Sequence, residues 1–66
     1  MKNLHALIGK SGVAKSSLLA CGIIAVGNEL YEAKTRFEPI IKGDRVLIVD
    51  VHLNLLIVQK TKLYKA

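Results

Sequence analysis

Residues 42–60, KGDRVLIVDVHLNLLIVQK, leave the chain little choice of fold. Two runs of Val, Ile and Leu are separated by Leu53-Asn54, and Gly43-Asp44 is a turn signal ahead of the first run. Residues 45–52 and 55–58 therefore read as two strands of a tight hairpin, with Asn54 as the residue able to take positive φ at its corner. Alternation in the first strand slips. Val46 and Ile48 share a face, yet Val49 and Val51 carry the apolar pattern on one residue out of phase. A β-bulge near Ile48-Val49 absorbs such a slip, and a bulged hairpin suits a small, strongly curved barrel better than a flat sheet.

The rest of the chain supports this reading. Residues 1–7 form a lead-in whose Leu4 and Leu7 can pack. Gly9 and Gly12 bracket Lys10-Ser11, each allowing a bend or a close backbone approach. A first strand is expected over 13–17, then a connection over 18–21 and a second strand over 22–26. Gly27-Asn28 is a hairpin turn, and a third strand follows over 29–35. Residues 36–42 are irregular because Pro39 cannot donate to a ladder, and 61–66 form a polar tail expected to fray. No segment sustains a helical period. Five short strands separated by turns indicate an all-β barrel or small sandwich, with 1–66 as one domain. Alternation about the bulge predicts a core of Val13, Ile24, Val26, Tyr31, Ala33, Val46, Ile48, Val51, Leu56 and Val58. Gly43, where the chain swings back into strand four, is expected to hold a backbone conformation that other residues resist.

Several functions find no support in the residues. The net charge of +5 permits an anionic partner but is mainly a matter of solubility. Cys21 is the sole cysteine, so no internal disulfide forms; as a small apolar residue it is expected to be buried. The longest apolar run, residues 18–26, is far below the ~20 residues that span a bilayer. Read as a strand, it is not the core of a secretory signal. Gly9-Lys10-Ser11 imitates the end of a phosphate-binding loop, but position 4 is Leu where that motif needs glycine, and strand follows where it needs a helix. His5 and His52 have no ligand-spaced companions. Ser11, Ser16 and Ser17 have no orienting base, and Asp44 and Asp50 read as surface acids. No catalytic set, metal site or cofactor is expected.

In order along the chain, the residues resemble a known family. LIGKSGVA at 7–14, Gly22 with Ile24 and Val26, Tyr31-Glu32-Ala33, Ile41-Lys42-Gly43, then Val46, Ile48, Val49 and Val51, and finally Leu56 and Val58, are similar to the C-terminal domain of NfeD-like proteins over 4–60. The sequence departs from that pattern in three ways. Ala20-Cys21 stands where a proline often precedes Gly22, Gly27-Asn28 replaces an Asp-Gly turn, and Ile23, Leu30 and Leu47 occupy positions that are usually polar. The resemblance implies a five-stranded OB-fold barrel and a membrane-associated parent with transmembrane segments outside this chain. It also implies a non-enzymatic, adaptor-like role beside stomatin- or flotillin-like scaffold proteins, with the soluble domain on the cytoplasmic side and no small-molecule substrate. The alternative is an OB-fold that binds single-stranded nucleic acid, disfavoured because only Tyr31, Phe37 and Tyr64 could stack on bases.

One surface is singled out. If the core residues point inward, Ile23, Leu30, Leu47 and Ile57 point outward, because side chains alternate along a strand. Ile23, Leu30, Leu47 and Ile57 are the expected interaction patch, for self-association or for a protein partner.

Overall fold

The computed structural model describes residues 3–61. Five strands, β1 (Ser11–Ala14), β2 (Cys21–Val26), β3 (Glu29–Thr35), β4 (Arg45–His52) and β5 (Leu55–Lys60), close into a barrel in the order β1-β2-β3-β5-β4. This is the expected five-stranded, OB-fold-like barrel. Neighbours pair antiparallel except β3 and β5, which run parallel. The third and fourth strands have the expected bounds, and β2 and β5 extend theirs by one and two residues.

The hairpin that constrains the sequence forms as its pattern requires. Ile48 pairs with Val58 and Asp50 with Ile57, so Val49 is the extra residue of a bulge. The bulge re-phases β4, letting Val46 and Ile48 below it and Val51 above it all face inward. The corner differs in one respect: Leu53, not Asn54, takes positive φ (59°). Gly27 does the same (63°) in the β2–β3 turn. In both turns the first central residue is left-handed, the position where type II′ turns take glycine.

The core comprises Ala14, Leu18, Ile24, Ala33, Ile40, Val46, Ile48, Leu56 and Val58, with Leu4, Leu7, Val26, Tyr31 and Val51 packed around it. Nine of the ten expected core residues lie in or against it. Val13 does not; it is 37% exposed, and Ala14 points inward in its place. The cause is the narrow seam between β1 and its neighbours. A Cβ added to Gly12 would lie 2.5 Å from the Ala25 carbonyl oxygen, so position 12 admits no side chain and takes the inward face, which alternation then gives to Ala14 rather than Val13. β1 also begins and ends earlier than expected. Past Ala14 the chain leaves the sheet, held where the Ser16 hydroxyl accepts from the Ile23 amide (3.0 Å).

That departure closes one end of the barrel. Leu18 and Ile40 exchange two backbone hydrogen bonds (2.7 and 3.0 Å) and are both buried, although their segments were expected to be a plain connection and an irregular stretch. Leu4 and Leu7, on a short 3-10 turn (Leu4–Leu7), cover the opposite end, where both hairpin turns also lie. The turn is tied down through Gly9, whose amide donates to the Ile48 carbonyl (2.8 Å). Gly43 has φ +98°, the left-handed conformation expected of it, and its amide donates to the Ala14 carbonyl (2.8 Å). Cys21 is exposed rather than buried, because as the first residue of β2 it faces outward beside Lys34. Of the expected polar tail, Thr61 is held by its amide to the Arg45 carbonyl (3.0 Å), and 62–66 lie outside the described residues.

Candidate interaction surface

Strand pairing orders the outward side chains into rows. Ile23 faces Glu32 across the β2–β3 ladder, and Ala25 faces Leu30. Ile23 and Leu30 are therefore diagonal neighbours, at a separation of about 7–8 Å, within reach of two long side chains. Leu47 lies opposite Gln59, two residues beyond Ile57 on β5, while Ile57 itself lies opposite Asp50. The structure thus groups the four as two pairs. Glu32 and Lys34 on β3 stand between them, and Lys34 pairs with Cys21 on one side and Ile57 on the other.

The pairs are unequally presented. Leu30 is 64% exposed, whereas Ile23, Leu47 and Ile57 are half-buried. Ile23 lines a shallow depression together with Cys21, Gly22, Glu32 and Leu55. Leu47 lies in a second depression beside Phe37, Glu38, Gln59, Lys60 and Thr61. Phe37 is itself under the Arg36 guanidinium, 5.1 Å from the ring centroid.

Other exposed apolar side chains were not anticipated from the sequence. Leu53 is 84% exposed at the tip of the β4–β5 hairpin, and Leu19, Phe37 and Ile41 are exposed at the opposite end. For two of these the orientation follows from the Leu18–Ile40 bridge and not from the pattern within either loop. Once Leu18 and Ile40 are known to face inward, their neighbours Leu19 and Ile41 must face out.

The polar groups that could serve chemistry are instead engaged locally. Asp44 Oδ2 accepts from the Ile41 amide (3.1 Å) and lies 3.6 Å from Lys60 Nζ. Asp50 Oδ1 accepts from the Val51 amide (2.8 Å) beside the bulge. His5 and His52 are exposed, and no cluster of three potential metal ligands occurs among the described residues. The β2–β3 face that OB-folds use for single strands carries Ile23, Ala25, Leu30, Glu32 and Lys34, with no aromatic platform. Tyr31 is turned toward the core, its hydroxyl donating to Glu29 Oε1 (2.7 Å). The exposed Leu30 and the half-buried Ile23, bordered by Glu32 and Lys34, offer aliphatic contact and no ring on which a base could stack.

Known proteins agree with this architecture. Residues 4–60 match the family described as the NfeD-like C-terminal, partner-binding domain. The C-terminal domain of the stomatin operon partner protein 1510-C from Pyrococcus horikoshii superposes with a TM-score of 0.83 at 34% identity, covering 86% of this chain and 91% of that one. A second solved structure shares the fold with a TM-score of 0.75 at 20% identity, covering 80% of this chain and 89% of that one. It is the soluble domain of a Corynebacterium glutamicum membrane protein implicated in regulation of membrane protease activity. No curated protein is significantly similar.

Proposed function

The chain belongs to the NfeD-like C-terminal, partner-binding domain family, and from that premise we propose that it is a non-catalytic adaptor whose partner is a stomatin- or flotillin-like membrane scaffold protein. The kind of partner is suggested by the P. horikoshii neighbour, a stomatin operon partner protein. The contact is assigned to the outward pairs Ile23 with Leu30 and Leu47 with Ile57. The observation that carries this assignment is Leu30, a large aliphatic side chain left 64% exposed beside the β2–β3 turn, where β3 pairs with β2 and not yet with β5. A partner segment laid along β2 and β3 would cover Leu30 and fill the depression beside Ile23 and Leu55. No helix among the described residues is long and apolar enough to cross a membrane; the proposed membrane attachment runs through other segments of a parent protein, with this domain proposed to lie on the cytoplasmic side.

Isothermal titration of the chain with the extramembrane region of a stomatin-type protein tests the reading. Replacing Leu30 and Leu47 together by Lys places two charges on the contact, and loss of one well-buried aliphatic anchor alone is worth about tenfold in affinity or more. The expected result is binding by the parent, loss of binding by the double variant and also by Leu30→Lys alone, and unfolding midpoints close to that of the parent. Sedimentation of the free chain reads self-association through the same patch. A parent that neither binds nor self-associates, or variants that behave identically to it, would remove the patch from consideration.

A further inference from the structure

The two ends of the barrel differ in charge. The half of the barrel that ends in loops 15–20 and 36–44 carries Lys15, Lys34, Arg36, Lys42, Arg45 and Lys60 against Glu38 and Asp44, six cations to two acids, an excess of four positive charges. Asp44 is already engaged by Lys60 and the Ile41 amide. The other half carries Lys10 against Glu29 and Asp50, with Glu32 at the middle of β3. The overall excess of positive charge on the described residues is therefore concentrated at one end.

That same end presents three large apolar side chains to solvent: Leu19 (78% exposed), Phe37 (72%) and Ile41 (63%). Leu19 and Ile41 are diagonal neighbours, and Phe37 stands apart from them beside Leu47, Gln59 and Lys60. Leu18 and Ile40 face each other and are buried, which places Leu19 opposite Pro39 and Ile41 opposite Ser17, on either side of the bridge. Phe37 lies further along the second loop beneath Arg36. Beneath these tips the two loops are fixed, by the Leu18–Ile40 bonds, by Thr35 donating from its amide to the Ala20 carbonyl (3.0 Å), and by the Thr35 hydroxyl donating to the Glu38 carbonyl.

We propose that this end of the barrel docks on the anionic surface of a lipid bilayer, with Leu19, Phe37 and Ile41 entering the headgroup layer and Lys15, Arg36, Lys42 and Arg45 contacting acidic headgroups. A protein partner would need a contiguous apolar centre from which water is excluded. A pair of aliphatic tips and a separate aromatic one, on an end rich in cations, match a bilayer, a fluid that accepts them independently while basic side chains stay at headgroup level. Charge complementarity fixes the orientation. The basic end is attracted to anionic lipid within about one Debye length, roughly 8 Å at physiological ionic strength. The end bearing Glu29 and Asp50 is directed away, leaving Leu30 and the β2–β3 face free for a protein.

Flotation of the full 66-residue chain with vesicles of phosphatidylcholine alone, or with about one third phosphatidylglycerol, tests this at physiological ionic strength. Partition to the anionic vesicles only is expected. Lys15→Gln and Lys42→Gln are each expected to weaken it about fivefold, and Leu19→Ser with Phe37→Ser by about tenfold or more. Lys10→Gln, at the other end, is expected to change it less than about twofold. Thermal melts confirm that each variant folds, and Ile41→Ser provides a separate apolar test should the double variant fail to fold. No partition of the parent, a loss on removing Lys10 equal to that on removing Lys42, or indifference to the apolar replacements would each overturn the proposal. So would loss of protein-partner binding in the Leu19, Phe37 variant with vesicle binding intact. Failure of vesicle binding leaves the Leu30 titration to stand or fall by itself.

Discussion

Ile48 is the position at which the core is most sharply tested. Its side chain is fully buried, its amide donates to the Lys10 carbonyl (2.9 Å), and its carbonyl accepts from Gly9 (2.8 Å). It lies directly before the bulge residue Val49 and pairs with Val58. Ile48→Ala keeps those backbone bonds and removes three carbon atoms from the barrel interior. Such truncations cost about 2–5 kcal/mol, the larger values where the walls cannot collapse into the space. A closed barrel of hydrogen-bonded strands is such a wall. A chain of 66 residues has about 3–10 kcal/mol of stability in all, so the variant loses a large part of it. At about 4–8 °C per kcal/mol for a domain of this size, the midpoint in far-ultraviolet circular dichroism falls by about 10 °C or more. Val13→Ala is the reference. Val13 is on a neighbouring strand but faces outward, and its truncation costs about 1 kcal/mol or less. Equal midpoints for the two variants would refute the inward assignment of Ile48 and the re-phasing of β4 by its bulge.

Two backbone predictions have opposite signs. Gly43→Ala meets no atom within 4 Å of the new Cβ, so its cost is conformational, about 1–2 kcal/mol for a side chain held at φ +98°; a midpoint unchanged in the same melt would contradict it. Leu53→Gly relieves a left-handed φ of 59° at a residue whose side chain is 84% exposed. It is expected to raise stability by about 0.5–1 kcal/mol, measured by urea unfolding, and a fall in the unfolding midpoint would show that the Leu53 side chain makes contacts that outweigh the strain.

Leu53 also shows where local reasoning stops. Asn54 was the better candidate for positive φ on intrinsic preference. The corner instead takes its left-handed residue one position earlier, because the pairing of His52 with Leu55 fixes which two residues form the turn and the twist of the strands fixes the turn type. Cys21 illustrates the same limit. Its size favours burial, but pairing with Lys34 at the start of β2 puts it on the outer face. Among the interaction-patch residues, outward orientation follows from alternation, and the pairing of Ile23 with Leu30 and of Leu47 with Ile57 follows from the two hairpins, whereas what stands between the pairs does not. Lys34 comes between Cys21 and Ile57 only because β3 pairs parallel with β5, a contact between segments more than twenty residues apart.

What the chain determines by itself is therefore local. Runs of Val, Ile and Leu specify β2, β4 and β5, the alternation of Tyr31 and Ala33 with Glu32 and Lys34 specifies β3, Gly27-Asn28 and Leu53-Asn54 specify two hairpins, and the phase slip after Ile48 specifies the bulge, since each depends on residues close in sequence. The tertiary structure alone decides the phase of β1 and the closure of the barrel ends. Val13 is the more apolar residue, yet Ala14 is buried, because β1 is wedged between β2 and β4 with Gly12 against the Ala25 carbonyl, where no side chain fits, and Ala14 shares the face of Gly12. Leu18 and Ile40 become core residues only when two loops meet across the open end and satisfy each other's backbone groups. That meeting turns Leu19 and Ile41 outward among the lysines and arginines. Alternation within either loop gives no sign of it, because the bonds that impose it join residues 22 positions apart.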